Sequence, residues 1–228
     1  MTRKRVAILI SGRGSNMAAL IAAAQQDYPA EIALVLSNRP DAAGLATART
    51  AGVATAVLDH KPYGRDRAAF EGALQAILDD RAIEYICLGG FMRLFTPAFV
   101  QRWHSRMLNI HPSLLPACPG LDPHGQALRA GVKITGATVH FVIAETDAGP
   151  IVAQAAVPVA EDDTAETLAA RVLGVEHRIY PLALKLLAAG RIRVIEGRCV
   201  IDGAELPQGN LVVPLSGHST RGLSRALT

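Results

Sequence analysis

Short runs of β-branched residues alternate along this chain with Ala- and Leu-rich segments of helical period. Parallel strands joined by crossover helices have this pattern, because each strand is covered on both faces. The pattern predicts strands at 6–10, 32–36, 53–58, 85–88 and 107–111, with helices at 16–26, 41–51, 65–80 and 97–103. We therefore expect a single α/β domain with a mostly parallel, open twisted sheet and helices on both of its faces.

The second half of the chain departs from this alternation. Two β runs, 138–143 and 151–157, are separated by a turn-rich loop, which favours antiparallel pairing. Asp163 and Glu166 have the spacing of a capping box and predict the start of a long helix. That helix contains Pro181, where a bend is expected.

The C-terminal part of the chain contains two short β runs, 192–195 and 199–201, which predict a hairpin. Beyond it, Gly, Pro and Ser are scattered without periodicity. We predict one domain over residues 1–206 and a poorly ordered tail over residues 207–228.

Composition excludes several classes of protein. The net charge of the 228 residues is only +3, so the chain lacks the dense basic face of a nucleic-acid binder. Its three cysteines are widely separated and its histidines fit no metal spacing, which favours a reducing cytoplasm and predicts no metal. No apolar segment approaches the ~20 residues of a membrane span. A cytoplasmic protein with small-molecule substrates is expected, as a monomer or a homodimer.

The stretch Leu108-Asn109-Ile110-His111-Pro112-Ser113-Leu114-Leu115-Pro116 carries the strongest indication of chemistry. Side chains two positions apart on a strand point to the same face, so Asn109 and His111 project together where Pro112 ends the strand. A hydrogen-bond donor beside a titratable ring is what acyl transfer at a carbonyl requires. The alternative is a strand-terminal Asn and His satisfied by neighbouring backbone groups.

A glycine-rich turn, Ser11-Gly12-Arg13-Gly14-Ser15-Asn16, lies between the first predicted strand and the first predicted helix. Glycines let backbone N–H groups approach a ligand, and a helix N-terminus favours an anion. We expect a single phosphate on Gly14, Ser15 and Asn16, and the alternative is a turn needed only for packing. A dinucleotide fingerprint would need a glycine in place of Met17, which weighs against a nicotinamide dehydrogenase.

Two further segments are open to two interpretations. Gly89-Gly90-Phe91-Met92-Arg93 closes a central strand, so it either lines a ligand crevice or forms a core Phe–Met pair with a solvated Arg. Asp147 lies in the loop between the two later β runs. Its carboxylate would stabilise a protonated His111 if the two were close, but before Ala148-Gly149-Pro150 it is also a typical turn residue.

Together these motifs resemble the phosphoribosylglycinamide formyltransferases, the folate-dependent transformylases of purine synthesis, from about Val6 to Leu206. The Asn109–Pro116 block is shared by several formyl-folate enzymes, whereas the Ser15-Asn16 turn and the Glu176–Pro181 block point to this family. The motifs that carry the resemblance are Ile10–Asn16, Gly90–Arg93, Leu108–Pro116, Pro119–Leu121, Val139–Val142, Asp147–Pro150 and Glu176–Pro181.

The resemblance implies transfer of a formyl group from 10-formyltetrahydrofolate to the amino group of glycinamide ribonucleotide. Asn109, His111 and Asp147 fall on the family's catalytic positions. The ribonucleotide phosphate would lie on the Gly14-Ser15-Asn16 turn and the ribose hydroxyls on Glu176. The folate would contact Arg67 through its acidic tail and, elsewhere, Met92, Arg93, Leu94, Phe95, Asn109, Ile143, Ala144, Glu145, Thr146 and Asp147.

Other functions remain open at this stage. A formyltetrahydrofolate hydrolase would use the same trio with water as acceptor, but five residues before the first strand leave no room for the regulatory domain such enzymes carry. A methionyl-tRNA formyltransferase would need a further C-terminal domain and a basic face. A non-catalytic folate- or nucleotide-binding module would keep the pocket without turnover. Asp122-Pro123-His124-Gly125 departs from the family pattern and puts the geometry of that loop in question.

Overall fold

The computed structural model describes residues 2–205 together with 211 and 213. Its main sheet is made of β1 (Lys4–Ile10), β2 (Ala30–Ser37), β3 (Thr55–Val57), β4 (Tyr85–Leu88), β5 (Met107–His111), β6 (Ile134–Phe141) and β7 (Ile151–Pro158). The helices are α1 (Ser15–Ala24), α2 (Gly44–Thr50), α3 (Arg67–Asp80), α4 (Pro97–Arg102), α5 (Pro123–Ala130) and α6 (Ala165–Ala188). A separate hairpin consists of β8 (Ile192–Ile195) and β9 (Arg198–Ile201).

The seven strands lie in the order β3-β2-β1-β4-β5-β6-β7. From β3 to β5 every pairing is parallel, and β6 and β7 are antiparallel to their neighbours. The predicted fold class is confirmed, as are the antiparallel pair and the terminal hairpin. The domain limits of 1–206 stay a prediction, and the predicted tail lies outside the described residues apart from 211 and 213.

Both faces of the sheet are covered. On β1, Val6, Ile8 and Ile10 pack into the core that includes residues of α1 and α6, while Ala7 and Leu9 pack into the core that includes residues of α3 and α4. All five side chains are fully buried. Burial of an Ile or Leu side chain contributes about 1.5–3 kcal/mol, so this alternation fixes the sheet as a central layer.

Some elements differ from the sequence-based expectation. The helix α5 was not predicted, because Pro123 and Gly125 are typical of loops; Asp122 caps it by accepting from the Gly125 N–H at 3.1 Å. The strand β6 starts at Ile134, four residues before the predicted run. The capping box of α6 is formed by Thr164 and Thr167 rather than by Asp163 and Glu166.

Two tyrosines hold α6 against the sheet. The buried Tyr180 hydroxyl lies 3.0 Å from the Leu88 carbonyl of β4 and 3.1 Å from the Leu108 carbonyl of β5, both of which accept from it. Tyr28 donates to the carbonyl of Pro181 at 2.6 Å. These contacts fix α6 beside the carboxyl ends of the central strands, and the predicted bend at Pro181 stays a prediction. None of the described helices combines the length and apolarity needed to cross a membrane.

The close packing of β6 on β7 depends on Gly136. A Cβ at this position would lie 1.9 Å from the Ala155 carbonyl oxygen, a backbone atom of the paired strand. We expect Gly136→Ala to lower the free energy of unfolding by about 3 kcal/mol, measured by urea denaturation.

The matched control is Gly72→Ala on the exposed face of α3, where a Cβ would meet no atom within 4 Å. It should raise the free energy of unfolding by about 0.5–1 kcal/mol through helix propensity. Equal effects of the two substitutions would contradict this account of the β6–β7 contact.

Candidate active site

The carboxyl ends of the parallel strands meet at one edge of the sheet, as is usual for ligand sites in open α/β folds. On β5, Leu108 and Ile110 pack into one core and Met107 into the other. Asn109 and His111 therefore project to the Met107 side. The structure brings these two side chains to the same face, with His111 buried and Asn109 half-buried.

Both ring nitrogens of His111 face oxygen atoms. Its Nε2 donates to the Cys118 carbonyl at 2.9 Å, and its Nδ1 lies 3.4 Å from the Asp147 carboxylate. A neutral ring carries one proton and would leave a lone pair against one of these oxygens. The arrangement therefore suits a doubly protonated His111.

Asp147 lies in the loop that joins β6 to β7, and its own backbone is in the left-handed region at φ 55°. Its carboxylate is nearly buried, accepts from the Gly120 N–H at 2.9 Å, and lies 3.8 Å from Nε2 of His140. The loop after β5 and the loop after β6 thus meet at this side chain. The structure brings Asp147 to His111.

His140 is not among the site residues predicted from the sequence. It lies opposite Asn109 in the β5–β6 register, and its Nε2 is 3.3 Å from the Asn109 amide nitrogen. Burial lowers the pKa of His140, although the Phe141 carbonyl and Asp147 act in the opposite direction. The pairing of the two predicted strands could have revealed this neighbour.

The loop between β5 and α5 is held by hydrogen bonds at both ends. Thr138 on β6 donates to the Ser113 carbonyl at 2.7 Å and accepts from the Leu115 N–H at 3.0 Å. At the other end, Asp122 also pairs with Arg129 at 3.1 Å. A Cβ on Gly125 would lie 2.3 Å from the Asp122 carboxylate, so the unusual Asp122 and Gly125 fit each other and define this loop.

The glycine-rich turn connects directly to α6. Gly14, at φ 72°, is the N-cap of α1 and offers no side-chain cap, so the first N–H groups of that helix have no side-chain acceptor. Ser15 is exposed, whereas Asn16 is buried and donates from Nδ2 to the Glu176 carboxylate at 2.6 Å. The structure thus brings together the two segments predicted to hold the ribonucleotide.

Glu176 is buried on α6. Burial raises its pKa, while the hydrogen bond from Asn16 and the charges of His177 and His111 partly offset that rise. A buried carboxylate with one free oxygen is suited to accept from hydroxyl groups.

A cavity of about 530 Å³ lies between the start of α3 and the segment that follows β4. Four of the predicted folate contacts line this cavity, namely Arg67, Met92, Arg93 and Leu94. Gly64 and Arg65 complete its lining. Phe95 does not line the cavity, because its ring is stacked between Phe91 and Phe99 at 5.4 and 4.7 Å. The loop 143–147 is not part of this cavity's lining either.

A second cavity of about 310 Å³ shares Met92 with the first. Ser11, missed from the sequence, organises it by accepting from the Met92 N–H at 2.8 Å and donating to Asn38 at 2.6 Å. Met92 is 69% exposed and forms the ridge between the two cavities. Within residues 2–205, no group of three or more His, Cys, Asp or Glu side chains is arranged to hold a metal ion.

A sequence profile described as "Formyl transferase" matches residues 4–184 of this chain. The chain belongs to the formyl transferase family. Within the family it is 43% identical over 203 residues to the phosphoribosylglycinamide formyltransferase of Escherichia coli, covering 89% of this chain and 95% of that protein. It is also 49% identical over 195 residues to the trifunctional purine biosynthetic protein adenosine-3 of Bos taurus, covering 85% of this chain. The chain spans about a fifth (19%) of that longer relative.

Solved structures of formyl transferases share the fold. Glycinamide ribonucleotide transformylase 1 from Symbiobacterium toebii superposes with a TM-score of 0.84 at 46% identity, covering 87% of this chain and 94% of that one. A formyltetrahydrofolate deformylase from Pseudomonas syringae superposes with a TM-score of 0.81 at 25% identity, covering 88% of this chain and 66% of that one.

The raised pKa of Glu176 predicts how stability depends on pH. The folded state holds this proton more tightly than the unfolded chain, so the group's contribution falls as the pH rises from 4.5 through the folded pKa. Glu176→Gln keeps the acceptor for Asn16 but cannot ionise. It should therefore unfold at a higher temperature than the wild type near pH 7.5 and lose that advantage near pH 4.

The control for this comparison is Glu161→Gln, which changes an exposed carboxylate and should leave the pH dependence unaltered. A Glu176→Gln protein that is less stable than the wild type near pH 7.5 would show that burial of the charge is not the dominant effect.

Proposed function

We propose that the chain is a phosphoribosylglycinamide formyltransferase of de novo purine biosynthesis, which moves a formyl group from 10-formyltetrahydrofolate to the amino group of glycinamide ribonucleotide. The observation that carries the proposal is that Asn109 and His111 project from the same face of β5 and that the Asp147 carboxylate lies 3.4 Å from His111. The similarity to transformylases over most of the chain supports it.

The chemistry places opposite demands on the two reacting nitrogens. The amine attacks the formyl carbon and loses a proton, the bond to N10 breaks, and N10 takes up a proton. Between these events the carbonyl oxygen carries negative charge in a tetrahedral intermediate. Asn109 and protonated His111 donate to that oxyanion, and the Asp147 carboxylate keeps His111 charged.

In the structure, the Nε2–H of His111 that would donate to the oxyanion already donates to another acceptor. The acceptor is the Cys118 carbonyl, at 2.9 Å from Nε2. In the proposed reaction the oxyanion replaces this carbonyl, because a charged acceptor is stronger than a neutral one. The loop that carries Cys118 therefore moves away from the ring when substrate binds.

Each substrate has a complementary surface. The uncapped N-terminus of α1 at Gly14, Ser15 and Asn16 receives the ribonucleotide phosphate, and Glu176 receives the ribose hydroxyls. The folate lies across Met92, Leu94 and the loop 143–147. Its acidic tail reaches the arginine-lined cavity, where no ion pair within 4.0 Å occupies Arg67 or Arg93 in the described residues.

The alternative reaction is hydrolysis of the same donor. It is favoured by the structural likeness to a deformylase, at lower identity than the likeness to the transformylases. Release of tetrahydrofolate measured with and without glycinamide ribonucleotide separates the two reactions. A transferase releases it only with the amine, a hydrolase releases it equally in both, and a non-catalytic binding module in neither.

Loss of one oxyanion donor should reduce turnover without reducing stability. We expect Asn109→Ala to lower kcat about 10²–10³-fold, with KM values close to those of the wild type. Gln101→Ala, which removes an exposed amide on α4, is the control. Turnover of folded Asn109→Ala within about threefold of wild type would remove this amide from the mechanism.

The arginine-lined cavity predicts a binding effect instead. Arg67→Ala should raise KM for the formyl donor about tenfold and leave kcat nearly unchanged, because one charge-assisted hydrogen bond remote from the reaction is lost. A donor that lacks the glutamate tail should show no such effect. Arg102→Ala, which removes an exposed arginine of α4, is the control, and an equal penalty with the tailless donor would contradict the assignment.

The remaining expectations follow from the proposed reaction. The substrates are small molecules, the compartment is the cytoplasm, and the active site is built within one chain. Both a monomer and a homodimer are compatible with a site of this kind. Light scattering at working concentration decides between them.

A further inference from the structure

His140 is the buried histidine that faces Asn109 across the β5–β6 pair. It is 2% exposed and lies directly opposite Asn109 in the register. Its Nδ1 is 2.9 Å from the Phe141 carbonyl oxygen. Because a carbonyl can only accept, the proton of the neutral ring lies on Nδ1, and Nε2 carries the lone pair.

This tautomer decides how the Asn109 carboxamide is oriented. The atom of Asn109 that faces Nε2 is 3.3 Å away, and only the amide nitrogen can donate to a lone pair. A carboxamide turned by 180° would place its oxygen against that lone pair and lose the hydrogen bond. The nitrogen has two hydrogens, so one remains for a further acceptor.

The other groups that face His140 do not replace this role. Asp147 is 3.8 Å from Nε2 and already accepts from Gly120 at 2.9 Å, while its carboxylate also pairs with His111. A second proton on His140 would draw Asp147 from His111 and turn the amide oxygen of Asn109 toward the ring. Burial and the charge of His111 both oppose that second proton.

We propose that His140 is a positioning residue, whose neutral ring protonated on Nδ1 holds the Asn109 carboxamide with its nitrogen available to the developing oxyanion. The proposal rests on the proposed function for the identity of the oxyanion. It makes His140 necessary for the rate rather than for binding of either substrate.

The first test uses the wild-type protein and needs no activity. Long-range ¹H–¹⁵N correlation spectra at neutral pH, with His140 assigned by its absence from the His140→Gln spectrum, report which nitrogen is protonated. We expect the neutral Nδ1–H form. A ring protonated on Nε2, or on both nitrogens, would overturn the proposal.

The second test compares two substitutions, each of which keeps the hydrogen-bonding function of one ring nitrogen of His140. His140→Asn keeps a donor near the Phe141 carbonyl but removes the acceptor for Asn109, whereas His140→Gln keeps an acceptor at the position of Nε2. We expect kcat to fall about 10²-fold in His140→Asn with KM values within about threefold, and to recover at least about tenfold in His140→Gln. A Gln variant no better than the Asn variant would overturn the proposal.

The same change in the Asn109→Ala background tests whether His140 acts through Asn109. In that background, His140→Asn should lower kcat less than about threefold, because the Asn109 carboxamide that His140 would position is already absent. An equal fall in both backgrounds would show a general structural role and overturn the proposal. If the wild type transfers no formyl group, the proposed function fails, and the NMR result still decides the state of His140.

Discussion

The rest of the site depends on the contacts that the buried Asp147 carboxylate makes with Gly120 and His111. The Asp147 side chain is 8% exposed, and a charge so far from water must be matched by donors or by an opposite charge. Gly120 supplies a backbone N–H, and His111 supplies the ring at 3.4 Å. One side chain thus holds β5, the loop before α5 and the loop before β7 together.

The position of β5 in the sheet explains how two histidines approach the Asp147 carboxylate. His111 comes from β5 and His140 from the neighbouring strand β6. The strand β5 is parallel to β4 and antiparallel to β6, so a neighbour from the second half of the chain lies directly beside it. His111 lies at the open end of the strand and faces two oxygens. His140 lies deeper, where burial lowers its pKa and one nitrogen is committed to the Phe141 carbonyl. The two rings thus differ in their partners, because His111 has an oxygen near each nitrogen, whereas His140 has one nitrogen left for Asn109.

The sequence predicts most of the sheet, because buried parallel strands have a signal of their own in β-branched runs. It also predicts that Asn109 and His111 share a face, which follows from the two-residue period of a strand. The approach of Asp147 to His111 could not be read from spacing, since the two residues are 36 positions apart with α5 and β6 between them, and it rested on the resemblance. The helix α5 was missed because Pro123 and Gly125 are typical of loops, although Asp122 caps the helix by accepting from the Gly125 N–H.

The hydrogen bond from His111 to the Cys118 carbonyl orients the imidazole while it occupies the ring's Nε2 donor. In the proposed reaction, the oxyanion takes the position of this carbonyl oxygen, which lies 2.9 Å from Nε2. The carbonyl keeps the ring oriented, so no rotation is needed when substrate arrives. The proposed exchange for an oxyanion would strengthen the hydrogen bond as charge develops, and a bond that is stronger in the transition state lowers the barrier more than it stabilises bound substrate. The backbone of Cys118 is in the left-handed region at φ 51°, which costs a non-glycine residue about 1–2 kcal/mol, so the loop supplies this carbonyl at a local cost in backbone energy.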